Sequence, residues 1–186
     1  MIHIVFDVES IGLHGEGYAV GFVVCDSHVV PMVEGMFACE YGLARGAIGG
    51  HIWVTDHGFT EPVNCKTPRE VRAKFWEVWR HWSDLNNDIG GEVYLWADCA
   101  WPVEARFLLA CIDDDPVNRE WLGPYPLMDI APLLYAKGRD PKVMIDRIGN
   151  EFPAHNPLCD ARQSARILRE LLWGDYVNRA TKEVTQ

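Results

Sequence analysis

Residues 2–7 (IHIVFD) are apolar, β-branched or aromatic, and then break into acids followed by Ser10 and Gly12, the pattern of a buried strand meeting a loop. Residues 18–25 and 28–39 supply two further strand candidates joined by a short turn at Asp26-Ser27, a hairpin or meander beside the first. A glycine-rich stretch over residues 40–66 contains one strand-like piece, HIWVT at 51–55. Thr67-Pro68-Arg69-Glu70 is a capping box with proline at the first helical position, and Val71, Phe75, Val78, Trp79 and Trp82 recur behind it at helical spacing. Residues 92–97 (EVYLWA) form a short apolar strand, after which Pro102 opens a helix carrying Val103, Phe107, Leu108 and Cys111. Residues 126–134 read as a last short strand running into a helix, and residues 142–149 as another helix. Residues 157–173 form a long amphipathic helix with Leu158, Ala161, Ala165, Leu168 and Leu172 on one face. Early strands covered by helices predict an α/β layered fold.

At 186 residues, 48% of them apolar, the chain fits one domain, read as residues 1–176 with a tail at 177–186 that is prone to fray. Six cysteines without a C-x-x-C pair argue against a zinc ribbon or a disulfide framework and for reduced, buried thiols. The start lacks a basic segment followed by an apolar run, and no stretch approaches membrane-spanning length, so the expectation is a cytoplasmic protein without a membrane partner. The formal charge of −10 argues against a passive nucleic-acid coat protein. It does not argue against an enzyme whose acidic site is offset by bound divalent ions.

Three constellations carry candidate chemistry. Asp7 and Glu9 end the first strand, where a period of two puts both carboxylates on one side. His155-Asn156-Pro157-Leu158-Cys159-Asp160 combines a helix cap, a histidine just outside the helix and an acid about one turn in. That geometry suits a water-activating base beside a metal ligand, but also a surface histidine beside an acid that merely complements the helix dipole. Between them, Asp98 at a strand end and Glu104 in a helix's first turn compete for one role. Two carboxylates about 4 Å apart repel by roughly 4 kcal/mol at an effective dielectric of 20, so a cluster of them calls for a cation, and oxygen ligands favour Mg²⁺ or Mn²⁺ over zinc.

Taken in order, FDVESIGL, the mid-chain acid followed by ARFL, and HNPLCDAR resemble the DEDD 3′–5′ exonucleases of the His-containing subclass, which include ribonuclease T, oligoribonuclease and bacterial proofreading subunits. The resemblance implies a ribonuclease H-like fold with a central mixed five-stranded sheet flanked by helices. It implies two ions, Mg²⁺ or Mn²⁺, held by Asp7, Glu9, Asp160 and a fourth carboxylate, with His155 as general base. The family register puts Glu104 where an aspartate is usual, which leaves Asp98 as its competitor. Ser10 continues the first motif, Ile11 and Leu13 are candidates to pack on the terminal base or in the core, and Trp101 is a candidate to stack on a base. Lys137, Arg139, Lys142 and Arg147 are candidate phosphate contacts. The implied partner is single-stranded or 3′-overhang DNA or RNA, and dimers are common among such enzymes. The rival reading is a catalytically impaired module that keeps the fold and binds nucleic acid or another partner.

Overall fold

The computed structural model describes residues 1–58, 63–143 and 145–183, with side chains as far as 174. In chain order the elements are β1 (Ile2–Ser10), β2 (Gly17–Cys25), β3 (Pro31–Ala38), α1 (Ile48–His57), α2 (Pro68–Asn87), β4 (Val93–Ala97), α3 (Val103–Asp113), α4 (Pro116–Arg119), β5 (Leu127–Asp129), α5 (Ile130–Ala136) and α6 (Pro157–Glu183). The sheet runs β3-β2-β1-β4-β5. β1 and β3 are antiparallel to β2, whereas β4 and β5 run parallel to β1, so the sheet is mixed and five-stranded. The crossover from the β1–β3 meander to β4 is long enough to hold α2, as a parallel pairing requires.

β1 and β2 are buried on both faces, which is why they read as continuous apolar runs. On one face Ile4, Phe6, Val20, Phe22 and Leu95 pack with Val71, Phe75 and Trp79 of α2 and Phe107 and Leu108 of α3. Phe75 is fully buried with its ring 5.1 Å from Phe6 and 5.7 Å from Phe107, so truncating it to alanine costs about 3–5 kcal/mol. On the other face Val5, Val23 and Trp96 pack with Ile130 and Leu134 of α5 and Ala161, Ala165 and Leu168 of α6. α2 begins as its capping box predicts, with the Thr67 hydroxyl accepting the Glu70 N–H at 3.2 Å, while the Glu70 carboxylate reaches one residue further back to the Lys66 N–H.

Two expectations fail. HIWVT lies in helix α1, not in a strand. Its alternation of branched and aromatic residues imitates a strand, but β3 is a largely exposed edge, and the helix satisfies its own backbone while burying only Val54. Residues 145–148 are irregular rather than helical, and Met144 lies outside the described residues. Donors from α6 take the carbonyls a helix would use: Gln163 Nε2 bonds the Ile145 carbonyl at 2.7 Å and Arg166 Nη2 the Asp146 carbonyl at 2.8 Å. Residues 177–183 of the expected tail continue α6, and 184–186 lie outside the described residues. Five of the cysteines are buried, as expected, and Cys99 is exposed. Among the described residues no helix is long and apolar enough to cross a membrane.

Candidate active site

Because β1, β4 and β5 are parallel, their carboxyl ends emerge at one edge of the sheet, the edge where ligand sites form in α/β proteins. Each brings acids there: Asp7 and Glu9 near the end of β1, Asp98 just after β4, and Asp129 at the end of β5. A bulge between Glu9 and Ser10 ends the regular pairing with β2. The first turns of two helices from opposite faces of the sheet add Glu104 from α3 and Asp160 from α6.

The approach of α6 depends on Gly21. This residue pairs with Asp7, and a β-carbon on it would fall 2.2 Å from the Leu158 nitrogen and the Pro157 carbonyl carbon. Its absence lets the helix start directly against β2, with Asp160 one turn in. Asn156 caps that start, its Oδ1 accepting the N–H groups of Leu158 and Cys159 at 3.0 and 3.2 Å.

The acids are poorly solvated and crowd one another. Burial first, and then Glu104, Glu9, Asp160 and Asp98, hold the Asp7 carboxyl well above its ordinary range. Glu9, only 8% exposed, is pushed up to about 8 by burial and by Asp160 and Glu104, with Arg147 opposing. Glu104, also 8% exposed, is pushed up to about 7 by burial, against backbone hydrogen bonds that include one from Val8, with Asp98 and Asp129 adding to the rise. Burial raises Asp160 against the pull of Arg147 and His155, and it raises Asp98 together with Asp129 and Asp160. A site in which Asp7, Glu9, Asp98, Glu104 and Asp160 each resist ionisation has the electrostatics of a cation site. Glu9, His155 and Asp160 each offer a ligand atom, all within 4.8 Å of one another. With Asp7 and Glu104 adjoining, the donor set is mostly carboxylate oxygen and fits hard divalent ions. Glu104 is the buried one of the two competing acids and acts directly on Asp7, whereas Asp98 is the more open residue, exposed overall although its carboxyl is crowded by protein.

His155 sits at φ 61°, a left-handed conformation uncommon outside glycine and held here by its surroundings. Its N–H donates to Asp160 Oδ2 at 3.1 Å, and its ring meets the Trp53 ring edge-on with centroids 4.9 Å apart. Trp53 stacks in turn on His57 at 5.0 Å. Beside Glu9 a cavity of about 360 Å³ is lined by Val8, Ser10, Gly12, Leu13, Trp53 and Val103. Leu13 and Ser10 thus face this space, the Ser10 hydroxyl donating to the Gly12 carbonyl at 2.8 Å. Ile11 does not: at 1% exposure it is a core residue, and Gly46 and Gly50 pack so tightly against it that β-carbons there would collide. It supports the start of α1 and, through it, Trp53. Trp101 is 67% exposed and outside the cavity lining.

Three residues that sequence reasoning did not place in the site are present. Trp53 was hidden in a segment that looks like a strand. Asp129 caps α5 through the Ala131 N–H and also accepts the Ala100 N–H, and its signal is the same as that of Asp7, an acid at the end of an apolar strand. Arg147, the last of the basic run, is ion-paired with Asp160 at 2.5 Å and also donates to the Glu151 carbonyl at 2.8 Å. A cavity of about 230 Å³ joins Arg147 to Asp98, Lys142 and Gln163, while Lys137 and Arg139 are exposed away from it. A larger cavity, about 550 Å³, lies beyond the Gly12–Gly17 turn among Glu16, Arg45, Arg72, Arg106 and Asp114 and contains none of the clustered acids.

No family model matches the chain, and no curated protein matches it. Solved structures do. Escherichia coli exonuclease I in complex with a dT13 oligonucleotide superposes with a TM-score of 0.64 at 12% identity, covering 99% of this chain and 43% of that one. A moderately thermophilic exonuclease I from Methylocaldum szegediense gives 0.60 at 14%, covering 93% and 40%. A 3′-exonuclease that recognises the histone mRNA stem-loop gives 0.52 at 15%, covering 91% and 63%. The chain spans about two fifths of the length of the exonuclease I structures it matches. What these likenesses share with the chain is the fold, a mixed five-stranded α/β sheet of the ribonuclease H-like kind flanked by helices.

Proposed function

We propose that the chain is a metal-dependent nuclease that removes nucleotides from the 3′ end of single-stranded DNA or RNA. The observation that carries this reading is the gathering of Asp7, Glu9, Glu104 and Asp160 at one sheet edge beside His155, with their acidities suppressed by burial and mutual repulsion. It is supported by the fold shared with exonucleases, among them Escherichia coli exonuclease I, which has been solved with an oligonucleotide and as a zinc-bound complex with single-stranded DNA.

The four carboxylates would hold a pair of divalent ions, Mg²⁺ or Mn²⁺, with Asp98 and Asp129 outside them. When bound, such ions polarise the scissile phosphodiester and make water a competent nucleophile at neutral pH. His155 lies outside α6 on the exposed side of Asp160, where its ring can take the proton of the attacking water. The Trp53 edge and the backbone bond to Asp160 fix its orientation. The Trp53–Leu13 cavity suits the terminal nucleoside, an apolar slot with one ring available for stacking, and Arg147 and Lys142 line a second cavity with Asp98, which suits phosphate.

The test incubates end-labelled single- and double-stranded DNA and RNA with Mg²⁺, Mn²⁺ or EDTA, with Asp160→Ala as control. Stepwise shortening from the 3′ end, present with metal and absent in the control, is expected in at least one substrate; no shortening in any lane defeats the proposal. The Arg147–Asp160 ion pair favours a second reading, a fold that binds nucleic acid without catalysing its cleavage. Absence of divalent-ion binding by calorimetry would select it.

A further inference from the structure

We infer that Arg147 is a built-in counter-ion of the site that yields Asp160 to a metal and is thereby released to hold the substrate phosphate, coupling ion occupancy to nucleic-acid binding. The inference rests on the nuclease reading above and concerns how that site is regulated.

Both carboxylate oxygens of Asp160 face protein donors: Oδ1 is ion-paired with the Arg147 guanidinium at 2.5 Å without hydrogen-bond geometry, and Oδ2 accepts the His155 N–H at 3.1 Å. Both partners of the ion pair are largely out of solvent, with side chains 17% and 14% exposed, so the pair is weakly screened. The guanidinium stands close enough to act on Glu9 and Asp98 as well, and it is the cation that partly offsets the crowding of these acids. It is aimed by its surroundings. The Glu151 carbonyl accepts from Arg147 Nη1 at 2.8 Å, while the Glu151 carboxylate is held by Arg166 at 2.6 Å and by the Ile148 N–H at 2.9 Å. The segment carrying Arg147 is pinned to α6 through its backbone carbonyls, which leaves the side chain as the part free to move.

A divalent ion ligated by Asp160 and Glu9 would bring two positive charges to the place where Arg147 now contributes one. Its binding must therefore displace the guanidinium or bear the repulsion. Once displaced, Arg147 keeps its anchor near Glu151 and faces the cavity it shares with Lys142, where a planar fork of donors suits a phosphodiester. If Arg147 is seated on Asp160 roughly nine-tenths of the time without metal, the apparent metal affinity is lowered roughly tenfold, because only the open fraction binds.

The experiment titrates Mn²⁺ into the metal-free protein, Arg147→Ala and Arg147→Gln by calorimetry. It then measures binding of a fluorescent single-stranded oligonucleotide in Ca²⁺. Removal of the arginine is expected to tighten Mn²⁺ binding by roughly tenfold and to weaken oligonucleotide binding in the same variants. A merely structural role would loosen both. Unchanged or weaker Mn²⁺ binding in the folded variants overturns the inference, and Arg147→Gln, which retains donors for the Glu151 carbonyl, serves if the alanine variant does not fold. Failure of the parent protein itself to bind Mn²⁺ is a different outcome, which defeats the nuclease reading and this inference with it.

Discussion

Glu9→Gln removes one charge from the acidic site and leaves its volume almost unchanged, so it isolates the electrostatic cost of holding that site without metal. Glu9 titrates near 4.5 in an ordinary environment and at about 8 in the folded chain, because burial, Asp160 and Glu104 disfavour its carboxylate. The folded value is the higher one, so the folded protein binds this proton more tightly than the unfolded chain does. The stabilisation is fully present below about pH 4.5 and is lost as pH rises, completely only above about pH 8. One proton of difference corresponds to about 1.4 kcal/mol per pH unit, so the loss between about pH 5.5 and about pH 8.5 is on the order of 3 kcal/mol. The repulsion is mutual, and removing Glu9 also relieves Asp7 and Glu104, so the effects of single variants at these positions do not add. Buried His3 acts with the opposite sign over part of this range and is the same in parent and variant, so the difference between their profiles reports Glu9. Urea denaturation in EDTA is expected to show the parent losing stability over this interval and Glu9→Gln losing much less, with the variant the more stable at the alkaline end. Excess Mn²⁺ should recover the parent's loss, because an ion that binds only the folded state stabilises it. Parallel pH profiles for parent and variant in EDTA would refute the reasoning.

Gly21→Ala drives a β-carbon into the Pro157–Leu158 backbone; an overpacking cost of about 1–3 kcal/mol and a loss of Mn²⁺ affinity are expected, and unaltered metal binding by calorimetry would show that the α6 start does not depend on this glycine. Trp53→Ala should weaken oligonucleotide binding by about 1–3 kcal/mol, the worth of one stacked base, and raise KM more than it lowers kcat, whereas Trp101→Ala should do little; the reverse ranking in a steady-state assay would move the base site. Glu104→Ala is expected to abolish metal-dependent cleavage and Asp98→Ala to reduce it by roughly tenfold, as for an outer carboxylate, and the opposite ranking in a time course would make Asp98 the ligand. His3, buried against the Trp96 indole N–H that donates to its Nδ1 at 3.0 Å, is lowered by burial and the nearby N-terminus. Its folded value lies below the unfolded one, so stability falls as pH drops through 6.5, and His3→Phe should lessen that acid-side loss in thermal melts; an equal loss in both proteins would assign it elsewhere.

What was legible in the sequence were features whose meaning is local. The apolar runs of β1 and β2, the Thr67 cap and the Asn156-Pro157 helix start each depend on neighbours a few residues away, and each appears where the pattern places it. Asp7, Glu9 and Asp160 could be proposed together because their motifs, each weak alone, occur in the order and the strand-end and helix-start settings that resemble the DEDD exonucleases. The same pattern could not choose between Asp98 and Glu104, since burial of Glu104 by packing of α3 is not written in the few residues around either acid. Trp53 was missed because a five-residue window cannot distinguish a strand from a helix whose single buried residue is Val54. Arg147 was noticed only as one member of a basic run. Its separation from exposed Lys137 and Arg139 comes from α6 side chains that capture the backbone just before it, a long-range contact without periodicity.

The placement of α6 across Gly21 also sets an order in time. Asp7 and Glu9 leave the ribosome first and Glu104 midway, whereas Asp160 is the last of the four acids to be synthesised. Until the start of α6 has docked against β2, the nascent chain holds an incomplete set of the proposed ligands. The chemistry proposed for this fold therefore cannot begin before α6 has been made and docked, and that docking acts as the arming step.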